Sequence, residues 1–297
     1  MRQSSCGTAL LPDTGNPRTP GKRLLKGSPP SGTAFLVLGS VPVYMDMHFY
    51  FCAAVFVTGD GATTQQGWKS MPETGKKNFL WIVVGDIHDE PEIFARIPEI
   101  GLADGVIITG DLTVTGGARQ AESVMAAIDS HCPVLWAQIG NMDRPEVNAW
   151  LEETGCNLHT HTHELTPGVA IFGVGGSTFT PFGTPSEFPE TAFAEWLESC
   201  WQKARRFPAR VLVSHNPPKD TACDVIPGDI HVGSSAVREF LEEAQPDICL
   251  CGHIHEARAV DRVGRTVVVN PGNLAAGGYA LLRCQDGRLA VELKSLT

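Results

Sequence analysis

Short apolar runs alternate with longer amphipathic segments over most of the chain after residue 77. The run FLWIVV at residues 79–84 is rich in β-branched and aromatic residues and ends at a Gly-Asp pair, which predicts a buried strand. Runs of the same kind predict further strands at residues 105–109, 134–139, 210–214 and 247–251. Between the runs, helical periodicity predicts helices at residues 91–100, 117–130, 144–153, 190–206 and 234–244. Strands that alternate with helices indicate an α/β fold.

Other segments have an antiparallel pattern. Residues 157–165 and 169–174 flank a Pro167-Gly168 turn and predict a hairpin. The C-terminal part adds four strands at residues 257–260, 266–270, 279–284 and 289–293, with turns at Gly264 and Gly287. The pattern therefore predicts an α/β fold with mixed sheets.

Residues 1–70 differ in composition from the rest of the chain. Residues 1–33 are rich in Gly, Pro, Ser and Thr, which predicts disorder. Residues 34–57 form an apolar stretch long enough to cross a bilayer of ~30 Å, although a proline, an aspartate and a histidine interrupt it. This stretch is compatible with a membrane tether, a targeting segment or a non-native extension. We favour the extension, with Met71 as the natural start of a domain at 71–297.

The net charge and the cysteine content indicate the class of binding partner and the cellular compartment. The formal net charge is −10, and residues 71–297 carry 17 basic and 30 acidic residues, a net of −13. Because an acidic surface repels the phosphate backbone, this charge argues against a nucleic-acid partner and favours a small-molecule substrate. The nine cysteines lack zinc-finger spacing, which predicts reduced thiols in a cytoplasmic protein. Cys249 and Cys251 fit a buried strand better than a metal site.

Polar clusters follow five of the predicted strands. They read Gly85-Asp86-Ile87-His88, Gly110-Asp111-Leu112-Thr113, Gly140-Asn141-Met142-Asp143, Ser214-His215 and Gly252-His253-Ile254-His255. Open α/β sheets bind ligands at the carboxyl ends of their strands, so we expect these clusters to meet in one crevice. Carboxylate, amide and imidazole donors suit divalent metals, and seven donors suit two ions that share a carboxylate. The glycines are expected to let the chain turn sharply from strand to site.

In this order, the clusters resemble those of the calcineurin-like metallophosphoesterase superfamily, most closely its small prokaryotic members. The resemblance covers roughly residues 78–296 and implies two facing mixed β-sheets flanked by helices, a four-layer α/β/β/α sandwich. It implies two divalent ions, with Mn the first choice in vitro and Fe, Zn or Ni as alternatives. The implied ligands are Asp86, His88, Asp111 and His255 for the first ion, and Asp111, Asn141, His215 and His253 for the second. A hydroxide bridging the ions would attack phosphorus, with Asp111 and Asn141 as the implied catalytic residues.

The third cluster departs from the family pattern. Most members have a histidine after the asparagine, and that histidine assists the leaving group, whereas this chain has Met142, whose thioether cannot donate a proton. We therefore favour a phosphodiesterase, with a phosphomonoesterase or a non-catalytic binding scaffold as alternatives. A nuclease of the same superfamily is disfavoured by the charge. If monoesters were preferred, His231 and Asp143 would be the first candidates for the missing proton donor.

Several residues outside the clusters are candidate substrate contacts. The loop 175–185 is long and rich in turn residues, and Phe179 or Phe182 could stack on an organic leaving group, although simple loop packing is an equal alternative. Arg144 and His231 are weaker candidates, for which surface solvation and a loop hydrogen bond are the alternatives. The alternating His159, His161 and His163 favour a solvated or edge strand over a third metal site.

Overall fold

The strands and helices of the computed structural model follow the order that the hydrophobic pattern predicts. The structure describes residues 53–57, 63–67 and 78–296. The strands are β1 (Ala53–Val57), β2 (Thr63–Gly67), β3 (Asn78–Val84), β4 (Gly105–Ile108), β5 (Val134–Ala137), β6 (Thr162–Thr166), β7 (Val169–Val174), β8 (Ala209–Ser214), β9 (Val225–Ile226), β10 (Ile230–His231), β11 (Ile248–Leu250), β12 (Ala259–Val263), β13 (Thr266–Asn270), β14 (Gly278–Gln285) and β15 (Arg288–Ser295). The helices are a 3₁₀ helix (Pro91–Arg96), α1 (Ala118–Asp129), α2 (Pro145–Thr154), α3 (Glu190–Ala204) and α4 (Ser235–Ala244).

Two large sheets form the centre of the fold. One has the strand order β15-β14-β3-β4-β5, and the other has the order β12-β13-β11-β8-β7-β6. Within these sheets β3, β4 and β5 pair in parallel, as do β7, β8, β11 and β13. The strands β6, β12, β14 and β15 pair antiparallel. Both sheets are therefore mixed, as the sequence predicts.

Among the described residues, alternation along the strands produces three hydrophobic cores. In β3, Ile82 and Val84 pack with the buried side chains of α1 and α2, while Trp81 and Val83 belong to the core that also holds Val211 of the other sheet. In β7 and β8 the opposite side chains face α3 and α4, where a third core forms. The layers are therefore α/β/β/α, and the predicted fold class is confirmed.

Three local predictions need correction. The helix expected at 91–100 is a 3₁₀ helix that ends at Arg96, because Pro98 disfavours helical backbone at Ile97, which is extended at φ −66° and ψ 121°. The strand expected at 157–165 is shortened to β6, and residue 159 forms an isolated bridge to residue 173. His231, expected in a loop, lies in β10, which pairs with β9.

Most of the N-terminal predictions lie outside the described residues. These are the disorder at 1–33, the interpretation of 1–70 as an extension and the greater part of the apolar stretch 34–57. The last five residues of that stretch form β1, which pairs antiparallel with β2. Among the described residues, none of the helices combines the length and the hydropathy needed to cross a bilayer.

Candidate metal centre

The carboxyl ends of parallel strands from both sheets carry the predicted donors. Asp86 and His88 follow β3, Asp111 follows β4, Asn141 follows β5, His215 follows β8, and His253 and His255 follow β11. The structure gathers six of these seven side chains into two groups, in each of which the ligand atoms lie within 4.8 Å of one another. The groups are Asp86 with His88 and His255, and Asp111 with His215 and His253. Each group draws donors from both sheets.

The first group lies at the outer side of the centre. The Nε2 atom of His255 is 3.3 Å from Oδ1 of Asp86 and 3.1 Å from Nε2 of His88. Asp86 is buried, whereas His88 is half-buried and His255 is exposed. This group is therefore accessible to a ligand from solvent.

The second group is more deeply buried. The Nε2 atom of His215 lies 3.4 Å from Oδ2 of Asp111 and 3.2 Å from Oδ1 of Asn141. His215 is fully buried, and its Nδ1 atom has no hydrogen-bond partner among the described residues. Asn141 thus joins the second group through its amide oxygen.

Asp111 connects the two groups. Its Oδ2 atom lies 3.4 Å from Nε2 of His215 and 3.8 Å from Nε2 of His88. Its other oxygen, Oδ1, accepts a hydrogen bond of 2.8 Å from the backbone N–H of Met142. One carboxylate oxygen is therefore held in place by the third cluster while the other faces both groups.

The backbone strain of the centre is carried by the donors themselves. Asp86, His88, Asp111 and His253 have left-handed φ values of 50°, 49°, 52° and 70°. Residues other than glycine adopt this region rarely, and such strain persists only where the surrounding structure fixes it. The sharp turns expected of the preceding glycines are thus made largely by the donors.

Close packing explains the preceding glycines better than turning does. Of the four, Gly110 has a left-handed φ, at 133°. A Cβ atom on Gly140 would lie 2.0 Å from Oδ1 of Asp111, and one on Gly252 would lie 2.6 Å from Oδ2 of Asp86. The expectation that glycines supply the turns is therefore corrected: at these two positions they leave room for the carboxylates.

Asp143 is a structural residue of the centre, a role that the sequence did not reveal. Its Oδ1 accepts hydrogen bonds from the backbone N–H and the hydroxyl of Thr113, and its Oδ2 accepts from the N–H groups of Leu112 and Gly140. The carboxylate is fully buried. It therefore joins the second and third clusters, and both of its oxygens face protein donors.

Burial and charge set the protonation of the second group. Burial on its own would lower the pKa of His215, but the adjacent Asp111 carboxylate raises it to about 9. Burial, together with the neighbouring His215, lowers the pKa of His253 to about 4. The site therefore stabilises positive charge beside Asp111 and keeps a neutral imidazole close by.

The donors fit divalent metal ions. Imidazole nitrogens and carboxylate oxygens of each group converge at short mutual distances, and the raised pKa of His215 marks a place where a cation can take over from a proton. Nitrogen and oxygen donors of this kind suit Mn, Fe, Zn and Ni. The seven residues would hold such ions through carboxylate, amide and imidazole atoms.

One loop is hydrogen-bonded to the centre and presents exposed aromatic residues. The hydroxyl of Thr184 accepts a bond of 2.9 Å from Nδ2 of Asn141, and the hydroxyl of Thr178 accepts one of 3.0 Å from Asn216, the neighbour of His215. Phe179 and Phe182, from the same loop, are 71% and 84% exposed. The loop therefore forms one wall beside the centre.

A single carboxylate fixes the shape of this loop. Glu187 Oε1 accepts hydrogen bonds from the hydroxyls of Thr180 and Thr184 and from the backbone N–H of Thr184. Despite some desolvation, these bonds lower the pKa of Glu187 to about 2. Phe182 is therefore presented by an ordered turn.

The remaining predicted substrate contacts, Arg144 and His231, are held by partners other than the metal donors. Arg144 is exposed at the N-terminus of α2, where its backbone N–H donates to Gly116. His231 is exposed in β10, and its Nδ1 lies 2.7 Å from Oδ1 of the buried Asp224. The pairing of His231 with Asp224 was not predicted, because the two residues lie on an irregular segment without periodicity.

The alternating histidines do not form a metal group. His163 lies half-buried in the edge strand β6 and stacks on Trp136. His159 is buried, and its Nδ1 accepts a hydrogen bond of 2.9 Å from the N–H of Gly175. Burial lowers the pKa of both histidines to about 4. The edge-strand prediction fits His163, but His159 is a buried residue at the base of the loop.

Comparison with protein families places the chain among metallophosphoesterases. Residues 160–294 match the family model described as metallophosphoesterase, calcineurin superfamily. The uncharacterized protein MJ1162 of Methanocaldococcus jannaschii is 35% identical over 173 residues, which cover 57% of this chain and 77% of that protein. A UPF0046 protein of Caenorhabditis elegans is 33% identical over 135 residues, 44% of each chain.

Solved structures share the fold at low sequence identity. The crystal structure of TT1561 of Thermus thermophilus is 18% identical and has a TM-score of 0.57, with 72% of this chain and 98% of that chain covered. At this identity the likeness concerns the fold, and it agrees with the four-layer arrangement described above.

Proposed function

Because the chain belongs to the calcineurin superfamily of metallophosphoesterases, which are metal-dependent hydrolases of phosphate esters, we propose that it is a phosphodiesterase with two divalent ions. The observation that carries this proposal is the convergence of two donor groups at the strand ends. The proposed substrate is a small-molecule phosphodiester.

The position of Asp111 supports two ions rather than one. Its Oδ2 atom faces a histidine of each group, at 3.4 Å and 3.8 Å. A carboxylate placed between the two groups would serve as a ligand to both ions, which in phosphatase sites act together on the attacking and leaving oxygens. Mn is the first choice for testing, since the donor set accepts several divalent ions and availability decides among them.

The chain's own residues position the reaction. When bound, divalent ions would lower the pKa of a water molecule and neutralise charge on the phosphoryl oxygens. Asp111 would be held towards both ions by the Met142 N–H, and the burial of His215 would keep bulk water from the second group. Asn141 would ligate through Oδ1, while its Nδ2 is already directed to Thr184.

The third cluster and the loop wall support a diester with an organic group. Met142 cannot protonate a leaving group, so the third cluster itself lacks the acid that monoesters with poor leaving groups need most. The exposed Phe179 and Phe182 stand on a loop that is hydrogen-bonded to Asn141, so they are available to stack on a ring of the substrate. Arg144, exposed beside the third cluster, is a weaker candidate for a phosphate contact.

We also propose a cytoplasmic location without a nucleic-acid partner. The net charge of −13 over residues 71–297 would repel phosphate backbones. Cys249 and Cys251 are fully buried, unpaired thiols whose pKa is raised by burial, as expected of small core residues in a reducing compartment.

The test compares a bis-aryl phosphate with the matching mono-aryl phosphate. The full chain is stripped of metal and reloaded with Mn²⁺, and kcat/KM is measured for both substrates. We expect preference for the diester, and a loss of more than about 100-fold in an Asp111→Asn variant, because even the partners of metal ligands contribute 10–100-fold. Preference for the monoester would replace the phosphodiesterase with a phosphomonoesterase. Failure to hydrolyse either ester would favour a binding scaffold.

A further inference from the structure

A second pair of polar residues, outside the metal donors, combines an exposed imidazole with a buried carboxylate. His231 Nδ1 lies 2.7 Å from Oδ1 of Asp224, which is fully buried. The same carboxylate accepts backbone hydrogen bonds from Asp220, Thr221 and Gly233. Asp224 is therefore fixed by its surroundings, and it orients the ring of His231 so that Nε2 is on the far side from the carboxylate.

The pair lies beside the loop that carries His215. The N–H of Ser234 donates to the carbonyl of Pro217 at 2.8 Å, and the N–H of Lys219 donates to the carbonyl of Ser234 at 3.0 Å. Gly233, which donates to Asp224, approaches so closely that a Cβ would lie 2.6 Å from the Pro217 oxygen. Pro217 is two residues from His215, so the segment of His231 packs on the fourth cluster.

A second contact ties the same segment to the fifth cluster. Nδ2 of Asn270 donates to the carbonyls of Cys223, Gly252 and Ile254. Cys223 precedes Asp224, and Gly252 and Ile254 flank His253. The His231–Asp224 pair is therefore attached to both loops that bring histidines from the six-stranded sheet to the metal centre.

Two side chains of the third cluster are unsuited to act as the proton donor for a leaving group. Met142 has no proton to give, and both oxygens of Asp143 are engaged by protein donors in a fully buried position. His231, by contrast, is 36% exposed, and its Nε2 atom lies on the side of the ring away from Asp224. Among the described residues near the fourth and fifth clusters, His231 is the histidine whose carboxylate partner, Asp224, is not a metal donor.

We propose, resting on the phosphodiesterase function above, that His231 donates the proton to the leaving oxygen and that Asp224 positions it. A water molecule loses one proton to solvent as its oxygen forms a new bond to phosphorus, and the bond from phosphorus to the leaving oxygen breaks. That oxygen takes the proton from Nε2 of His231, and the ring recovers a proton from solvent. The products are a phosphomonoester and an alcohol or phenol.

The surroundings of His231 favour the protonated ring. The hydrogen bond to Asp224 raises its pKa, and Asp220 and Asp229, on the same segment, act in the same direction. A protonated ring beside an anionic phosphodiester is the form that a general acid requires.

The experiment compares two leaving groups in the Mn²⁺-loaded full chain. Ethyl p-nitrophenyl phosphate releases a stable anion, whereas ethyl phenyl phosphate needs more help from an acid. In a His231→Gln variant we expect kcat/KM for the phenyl ester to fall by about 100-fold, within the usual range for general acids, and for the nitrophenyl ester to fall far less. His131→Gln, which changes an exposed histidine at the end of α1, serves as the matched control and should leave both rates unchanged.

Equal losses for the two esters, or no loss, would overturn the acid role while leaving the phosphodiesterase intact. If the wild type hydrolyses neither ester, the proposed function falls and the acid role falls with it. A readout without turnover comes from the NMR titration of His231 in metal-free protein. Its pKa should exceed that of His131 and should decrease in an Asp224→Asn variant, and an unchanged pKa would overturn the positioning role of Asp224.

Discussion

The metal centre and the loop wall next to it are built in different ways. In the centre, Asp86, Asp111 and His215 are at most 2% exposed, and backbone N–H groups of neighbouring clusters hold the carboxylates. In the wall, Phe179 and Phe182 are largely exposed. The wall is held by side-chain hydrogen bonds to Glu187 near its tip and by backbone hydrogen bonds of Ser177 at its base. This difference suggests that the centre determines the reaction and the wall determines which ester is accepted.

Several hydrogen bonds couple the two regions, among them those from the backbone N–H of Ser186 to the Asn141 carbonyl and from the Ser186 hydroxyl to the Asp143 carbonyl. Thr184 contacts Asn141, and Thr178 contacts Asn216. Changes in the centre should therefore affect every substrate, whereas changes at the tip of the wall should act on binding of particular substrates. The following predictions test that separation.

The largest effect is expected from filling the space beside Asp111. A Gly140→Ala change places a Cβ 2.0 Å from Oδ1 and 2.4 Å from the backbone nitrogen of Asp111, so the carboxylate must move. Displacement of about 1 Å can reduce catalysis by about 100-fold, and we expect a loss of that order in kcat for all esters.

Gly117→Ala is the matched control for this change. Gly117 precedes α1 with a φ of −100°, and a Cβ there meets open space, so activity should be retained. If Gly140→Ala hydrolyses esters at the wild-type rate while circular dichroism shows a native fold, the centre does not depend on the position of Asp111.

A smaller effect is expected at the wall. Phe182→Ala removes an exposed ring that can stack on an aromatic group of the ester, and such stacking contributes about 0.5–1.5 kcal/mol. We expect KM for a bis-aryl phosphate to rise by up to about tenfold with little change in kcat. Val114→Ala, a change of another exposed apolar residue, is the control. A fall in kcat with constant KM would place Phe182 in the reaction rather than in binding.

The smallest effect concerns the base of the wall. The ring of His159 accepts a hydrogen bond from Gly175 and packs against Trp196. Burial lowers its pKa from 6.5 to about 4, so the unfolded chain binds the proton more readily. The stability contributed by the neutral His159 ring is therefore fully present above pH 6.5, and this contribution is lost as the pH falls towards 4.

Urea unfolding at two pH values measures this contribution. When the pH is lowered from 8 to 6, a histidine with this pKa shift should reduce the free energy of unfolding by about 1 kcal/mol. His159→Gln should reduce the pH dependence of the unfolding free energy by that amount. The similar contribution of His163, whose pKa is also lowered, should remain in the variant. An identical pH dependence in wild type and variant would show that His159 titrates normally.

The sequence predicts the location of the donors better than their conformation. Each cluster directly follows a strong apolar run, so the topology of an α/β sheet is sufficient to bring Asp86, Asp111 and His215 to one edge. The left-handed backbone of the donors and the close approach of Gly140 to Asp111 depend on contacts between distant segments, which periodicity does not record.

The same limitation explains what was missed around the centre. Asp143 connects two clusters through four accepted hydrogen bonds, and Asp224 pairs with His231 across a two-strand turn. Both carboxylates lie in irregular segments, where an aspartate also fits a solvated turn. Burial distinguishes a structural carboxylate from an aspartate in a solvated turn. Because burial in a loop depends on how other elements pack against it, the local sequence does not reveal it.

The central claim is that the two donor groups hold two ions that share Asp111. The most direct measurement is equilibrium dialysis of the metal-stripped full chain against Mn²⁺, with metal analysis of the wild type and the Asp111→Asn variant. The account predicts two Mn²⁺ ions per chain at saturation and weakened binding of both ions in the variant. Saturation at one ion or none, or a variant that binds as the wild type does, would contradict it.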